Sequence, residues 1–125
     1  MIDGIDKSLR FQANALGLRA ERQQVLSSNI ANADTPNFRA ADFDFARALH
    51  RATASSSLRG AANNERLGAA RATEIVSRPG RSALDGNSVD MDFERAQFID
   101  NAVRYEAAVK FLNGKIRALL SAIQG

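Results

Sequence analysis

Val25-Leu26-Ser27-Ser28-Asn29-Ile30-Ala31-Asn32-Ala33-Asp34-Thr35-Pro36-Asn37-Phe38 closes one long helix and turns the chain back toward it. Asn29 and Asn32 stand three apart and share a helical face whose seam is apolar a turn earlier. Pro36 removes a backbone donor and pushes Thr35 out of the helical region, so the helix must stop here. Its last turn is rich in amides where an ordinary amphipathic helix would stay greasy.

Upstream, apolar residues recur at alternating steps of three and four. One seam runs Ile2, Ile5, Leu9, Gln12, Leu16, Arg19, Gln23, Leu26, Ile30, and six of the nine are apolar. A second runs beside it through Phe11, Ala15, Leu18, Arg22 and Val25 to Asn29 and Asn32. Two adjacent seams describe a helix with neighbours on more than one side. Downstream, Met91, Arg95, Phe98, Ala102, Tyr105, Val109, Leu112, Ile116, Leu119 and Ile123 keep strict four-three spacing, and only Arg95 is not apolar. That is coiled-coil patterning. Asp90 or Asp92 supplies the cap at its start, and Glu94 is favourable in the first turn.

Between the two helices the chain changes character. Phe38, Phe43 and Phe45 anchor the turned chain back on the first helix. Phe43 and Phe45 alternate with acids as in an extended segment, while a short helix from Asp42 through Leu49 fits equally. From His50 to Gly86 small and polar residues dominate, as in a weakly structured connection. Glu74-Ile75-Val76 before Arg78-Pro79-Gly80 reads as a strand entering a turn, and Asp85-Gly86-Asn87 as a second turn, together a small hairpin. The expected fold is all-α: long N- and C-terminal helices packed as an antiparallel coiled-coil-like pair, with a flexible or small-hairpin connection. The divisions fall at 1–35, 36–87 and 88–125.

The composition excludes most chemistry. Among 125 residues there is no cysteine and one histidine, so thiolate catalysis, disulfides and Cys/His metal sites drop out. Asp85, Asp90, Asp92 and Glu94 suggest a calcium loop, but Asp90 stands where its glycine belongs and Ala96 where its bidentate glutamate belongs. There is no phosphate loop and no serine elbow. No cofactor, metal or enzyme activity is expected. No run reaches the roughly 18 apolar residues of a membrane span, and the first residues lack the pattern of a cleaved signal peptide.

The net charge of +3 is uneven, because residues 46–81 hold seven arginines against Glu65 and Glu74. Nucleic acid or an anionic surface would suit such a stretch. The arginines are spaced out with no aromatic beside them to stack on bases, which suits a solvated connection better. What remains is two matched helices whose apolar faces exceed what they satisfy in one another, and an exposed apolar stripe implies a partner. The expected interface is Leu9, Leu16, Val25 and Leu26 on the first helix. On the second it is Phe98, Ala102, Tyr105, Val109, Leu112, Ile116, Leu119 and Ile123. An isolated chain is expected to be poorly folded and to order on assembly.

The opening stretch closely resembles the N-terminal signature of the flagellar axial proteins, the rod, hook and hook-associated families. Its motif residues here are Ser27, Ser28, Asn29, Ile30, Asn32, Asp34, Thr35, Pro36 and Phe38. Asp85-Gly86-Asn87-Ser88-Val89-Asp90-Met91-Asp92, Arg104-Tyr105-Glu106-Ala107 and Phe111-Leu112-Asn113-Gly114-Lys115-Ile116 resemble the proximal rod members of that family. The short length agrees, since distal rod and hook proteins carry a large inserted domain. The resemblance implies a structural subunit of the bacterial flagellum basal body, exported through the flagellar type III gate without a cleaved signal. Its helices would pack into the periplasm-spanning drive shaft that transmits torque for motility. Implied partners are the other rod proteins, the adaptor at the rod base, the export gate and further copies in the rod, with no nucleic acid and no membrane span. Two other classes fit the residues: a soluble coiled-coil adaptor or export chaperone forming a closed oligomer, and an anionic-surface or nucleic-acid binder using the arginines.

Overall fold

A computed structural model of the chain describes residues 2–55, 75–77 and 86–125. Its elements are α1 (Ile2–Ala31), β1 (Ala41–Phe43), α2 (Phe45–Ser55), β2 (Ile75–Ser77) and α3 (Met91–Gln124). The two long helices make up most of it, at roughly 45 and 50 Å from their rise per residue. They run antiparallel: Asn29 of α1 meets Glu94 near the start of α3, and Ser8 meets Lys115 near the other end.

α1 stops as its sequence requires. The last backbone bonds run Asn32 N–H to Ser28 O at 3.1 Å and Ala33 N–H to Ile30 O at 3.2 Å, a tightened final turn. Thr35, Pro36, Asn37 and Phe38 then form a β-turn, with Phe38 N–H donating to Thr35 O at 3.3 Å. Asn37 adopts a φ of 62°, the left-handed conformation that a proline-led turn of type II demands at its third position.

Each reading of the segment after Phe38 is met in part, since Asp42 is extended rather than helical and Phe45 helical rather than extended. Ala41–Phe43 is extended and Phe45–Ser55 is helical. Asp44 lies between them and caps α2, its Oδ1 accepting from Arg47 N–H at 3.2 Å. The helix continues through His50, whose side chain is exposed, to Ser55, beyond where the polar connection was expected to begin. The expected strand at 74–76 is present as Ile75–Ser77, and the return of the expected local hairpin falls outside the described residues. The strand pairs antiparallel with β1, Ala41 opposite Ser77 and Phe43 opposite Ile75. Turn residues near β2 suggested a short-range return, whereas β1 offered an open edge next to α1. The Arg78-Pro79-Gly80 turn and the arginines at 59, 66, 71, 78 and 81 lie outside the described residues.

The apolar core is small and sits between α1 and α2. Leu18 and Ala48 are buried, with Val25, Phe45 and Leu49 packed against them, and Leu26 is also fully buried. Phe45 thus anchors the turned chain, with Arg19 lying over its ring at 4.2 Å from the centroid. Two buried leucines contribute about 2 kcal/mol each. That is little beside a backbone ordering cost of roughly 1 kcal/mol or more per residue. The burial is also one-sided: among described side chains, none before Leu18 and none after Asn101 is fully buried.

Candidate assembly surface and the polar joint beside it

Where α1 ends, polar side chains do the packing. The Asn29 amide is 1% exposed and behaves as one more peptide group beside β1. Its Nδ2 donates to Ala41 O at 2.7 Å, and its Oδ1 accepts from Ala41 N–H at 3.0 Å. The same Nδ2 donates to Glu94 Oε2 at 3.1 Å, tying α3 into the pairing. Asn32, one turn on, faces another way: it donates to Ser28 O of its own helix at 2.8 Å and accepts from Thr35 Oγ1 at 3.1 Å. The two amides of the opening stretch therefore divide the work, one across elements and one within the helix end.

Asn87 closes the joint from the far side of the sequence. Its Nδ2 lies 2.9 Å from Asn32 O and 2.8 Å from both Ala33 O and Thr35 O. Two hydrogens serving three carbonyls make at least one bond shared. These include carbonyls that a helix end leaves without partners, so Asn87 caps α1 from 55 residues away. Its Oδ1 accepts from Val89 N–H at 2.8 Å, while Ser88 Oγ accepts from Ala40 N–H at 2.8 Å. Asp90 then caps α3, accepting from Phe93 N–H at 3.3 Å. Gly86 precedes this run at a φ of 78°, and a Cβ there would collide with the Asn37 side chain. Turn and cap are interlocked.

Charged and amide groups continue down the helix pair. Arg22 grips Asp42 of β1 with two bonds of 3.1 Å and Gln97 of α3 at 2.9 Å. Asn101, fully buried, donates to Arg19 O at 2.9 Å and Gln23 Oε1 at 2.8 Å, while its Oδ1 accepts from no donor among the described residues. Such an orphan costs about 1–3 kcal/mol. Burial, then the neighbouring Arg104 and Arg22, pull Arg19 below the ordinary arginine value, with Asp100 opposing.

The contact line on α3 is therefore Glu94, Gln97, Asn101 and Lys115, and the apolar seam lies beside it. By helix geometry the two are offset by roughly 60° about the axis around Phe98–Tyr105 and converge toward Leu119. Phe98, Ala102, Val109, Leu112 and Leu119 are half-buried on that flank. Tyr105, Ile116 and Ile123 are exposed, Ile123 at 82%. On α1, Leu9 and Leu16 are half-buried, whereas Leu26 has no exposed surface and Val25 packs into the α2 core. Those last two residues serve the chain's own interior while this fold holds. Glu94, Gln97 and Asn101 went unread as contact residues because hydrophobic periodicity ignores polar side chains. Their steps of three and four along one face were the available signal.

Two open grooves flank the helix pair. One, of about 660 Å³, has Ala20, Gln24, Ser27 and Ala31 on its α1 side and Phe98 and Tyr105 on its α3 side. The other, of about 600 Å³, lies at the far end between Gly4, Ile5 and Leu9 and Lys115, Ala118 and Leu119. The motif thus has an inner face that builds the joint and an outer face, Ser27, Ser28 and Ala31, that floors a groove. Among the described residues no group of His, Cys, Asp or Glu is placed to hold a metal ion, and no helix is long and apolar enough to cross a membrane.

Comparison with known proteins points one way. A family model described as flagella basal body rod protein matches residues 9–39. The flagellar basal body rod protein FlgB of Yersinia ruckeri is 41% identical over 135 residues, spanning 99% of this chain and 98% of its own length. FlgB of Escherichia coli K12 is 42% identical over 136 residues with the same coverage. FlgB of Salmonella typhimurium is 38% identical, spanning 100% of this chain and 99% of its own.

Proposed function

The chain belongs to the family of flagellar basal body rod proteins, and from that premise we propose how it works as a structural, non-enzymatic subunit of the basal-body rod. Its polar joint fixes the angle between α1, β1 and α3, and the apolar flank of α3 beside that joint meets neighbouring rod subunits. The observation that carries this reading is the exposure of Tyr105, Ile116 and Ile123 on a face of otherwise regular apolar spacing. In water such a face is a liability; covered by adjoining helices it supplies the hydrophobic term that the small internal core lacks. The motif residues Asn29, Asn32, Asp34, Thr35, Pro36 and Phe38 act in register, holding the helix end to which neighbours align.

The finer assignment follows the same physics. The chain sits in the proximal rod, contacts other rod proteins, the adaptor at the rod base and further copies, and reaches the periplasm through the export gate. A core this small suits passage in an unfolded state, because little folding free energy must be undone.

Ile116→Asp tests the surface without touching the interior, since Ile116 is already 41% exposed. The variant is expected to be exported normally and to leave cells without motility; Leu112→Asp, on the half-buried edge of the same seam, should do likewise. Motile cells carrying both substitutions would overturn the assignment of this flank to assembly.

A further inference from the structure

The outer groove has a matching feature elsewhere on the same chain. Ile99 and Val103, one turn apart on α3, are each 62% exposed, and among the described residues they belong to no apolar cluster. On their face of α3 the exposed Asp92 and Glu106 balance Arg95 and Lys110, so the patch carries no net charge of its own. The groove is likewise uncharged. Its α1 side is made of alanines, serines and neutral glutamines, and its α3 side of Phe98, Ala102 and Tyr105. Ile99 and Val103 lie at the same height along α3 as that groove edge. At about 100° per residue they point roughly 110° away from it around the helix axis.

We propose that Ile99 and Val103 of one copy seat in the Ser27–Ala31/Phe98–Tyr105 groove of a second copy. This deepens the rod reading and rests on it. A second copy fits better than an unrelated partner for two reasons. Knob and groove are both apolar and neutral, and their equal height lets a copy displaced sideways, with little axial shift, bring them together. Because the two surfaces differ, the contact is heterologous: it does not close on a two-fold axis but propagates as a ring or helix. A tube demands that geometry. The small residues Ser27, Ser28 and Ala31 then acquire a purpose that packing within one chain does not give them. They keep the groove floor low enough for a β-branched side chain to enter.

The absence of cysteine from the chain makes the test clean. Cells carry the Ser27→Cys/Val103→Cys double variant, basal bodies are isolated, and mild oxidation is applied. A ladder of dimer, trimer and higher species is expected from the double variant and from neither single variant. A dimer from Val103→Cys alone would mean a symmetric contact and overturn the proposal. So would the absence of a ladder from basal bodies that contain the variant, and in that case the rod reading still stands. As a second measurement, a photoreactive benzophenone amino acid at position 103 should give adducts of twice the chain mass, mapping to the peptide from Gln23 to Arg39. Adducts only with a chain of another mass overturn the self-contact. Failure to recover the unaltered chain in basal bodies would instead sink the rod reading itself.

Discussion

At the scale of single residues, the joint depends on amides that a carboxylate cannot replace. Asn29→Asp keeps the shape but loses the donor that serves both Ala41 O and Glu94 Oε2, and sets two carboxylates together in a buried place. It should cost about 3 kcal/mol or more, and more than Asn29→Ser, when the thermal melts of the assembled chains are compared. Equal melting temperatures for wild type and Asn29→Asp would contradict the pairing. Gly86→Ala meets two penalties at once, a left-handed backbone and a collision with Asn37, and about 1–2 kcal/mol is expected. These roles were partly visible beforehand. That Asn29 was special could be read from an amide standing where a seam should be apolar. That its partner would be the peptide of Ala41 could not, because a side-chain amide mimics a strand only when a strand arrives beside it.

At the scale of elements, α3 carries the clearest separation between helix formation and helix packing. Its cap, acidic first turn and periodicity were all legible, and Asp90 does cap it. Asp90→Ala should cost about 1 kcal/mol and speed amide exchange in the first turn, at Met91 to Glu94, while leaving residues beyond Val109 unchanged. Gly114 lies in the middle of this helix with nothing within reach of an added Cβ. Gly114→Ala should therefore raise the helicity of the isolated chain, by about 1 kcal/mol in helix propensity; a fall in helicity would show an internal contact at that position. What periodicity did not show was the polar contact line near the start of α3. Polar contacts from Arg22, Asn29 and Gln23 turn its Glu94–Asn101 line toward α1, and the apolar seam is left on the flank.

At the scale of the whole molecule, order should be graded along the helix pair. The joint holds the buried groups, from Leu18 to Ala52 on one side and Asn87 to Asn101 on the other, while the far halves of α1 and α3 bury no side chain completely. In whatever structure the isolated chain retains, hydrogen exchange is expected to be slower in residues 18–31 and 91–101 than in residues 3–14 and 108–124. Uniform protection along both helices would overturn this gradient and the need for neighbours it implies. Residue order alone dictates two long helices, the stop at Pro36, the capped start of α3 and, through the motif, kinship with the flagellar axial proteins. All of these follow from local propensity and side-chain identity. It took the folded arrangement to settle that β2 pairs with β1, that Asn87 caps a helix 55 residues away, and that a polar line from Glu94 to Asn101 ties α3 to α1 beside the joint. Those outcomes depend on which groups distant parts of the chain bring within hydrogen-bonding range, and a periodic pattern carries no record of that.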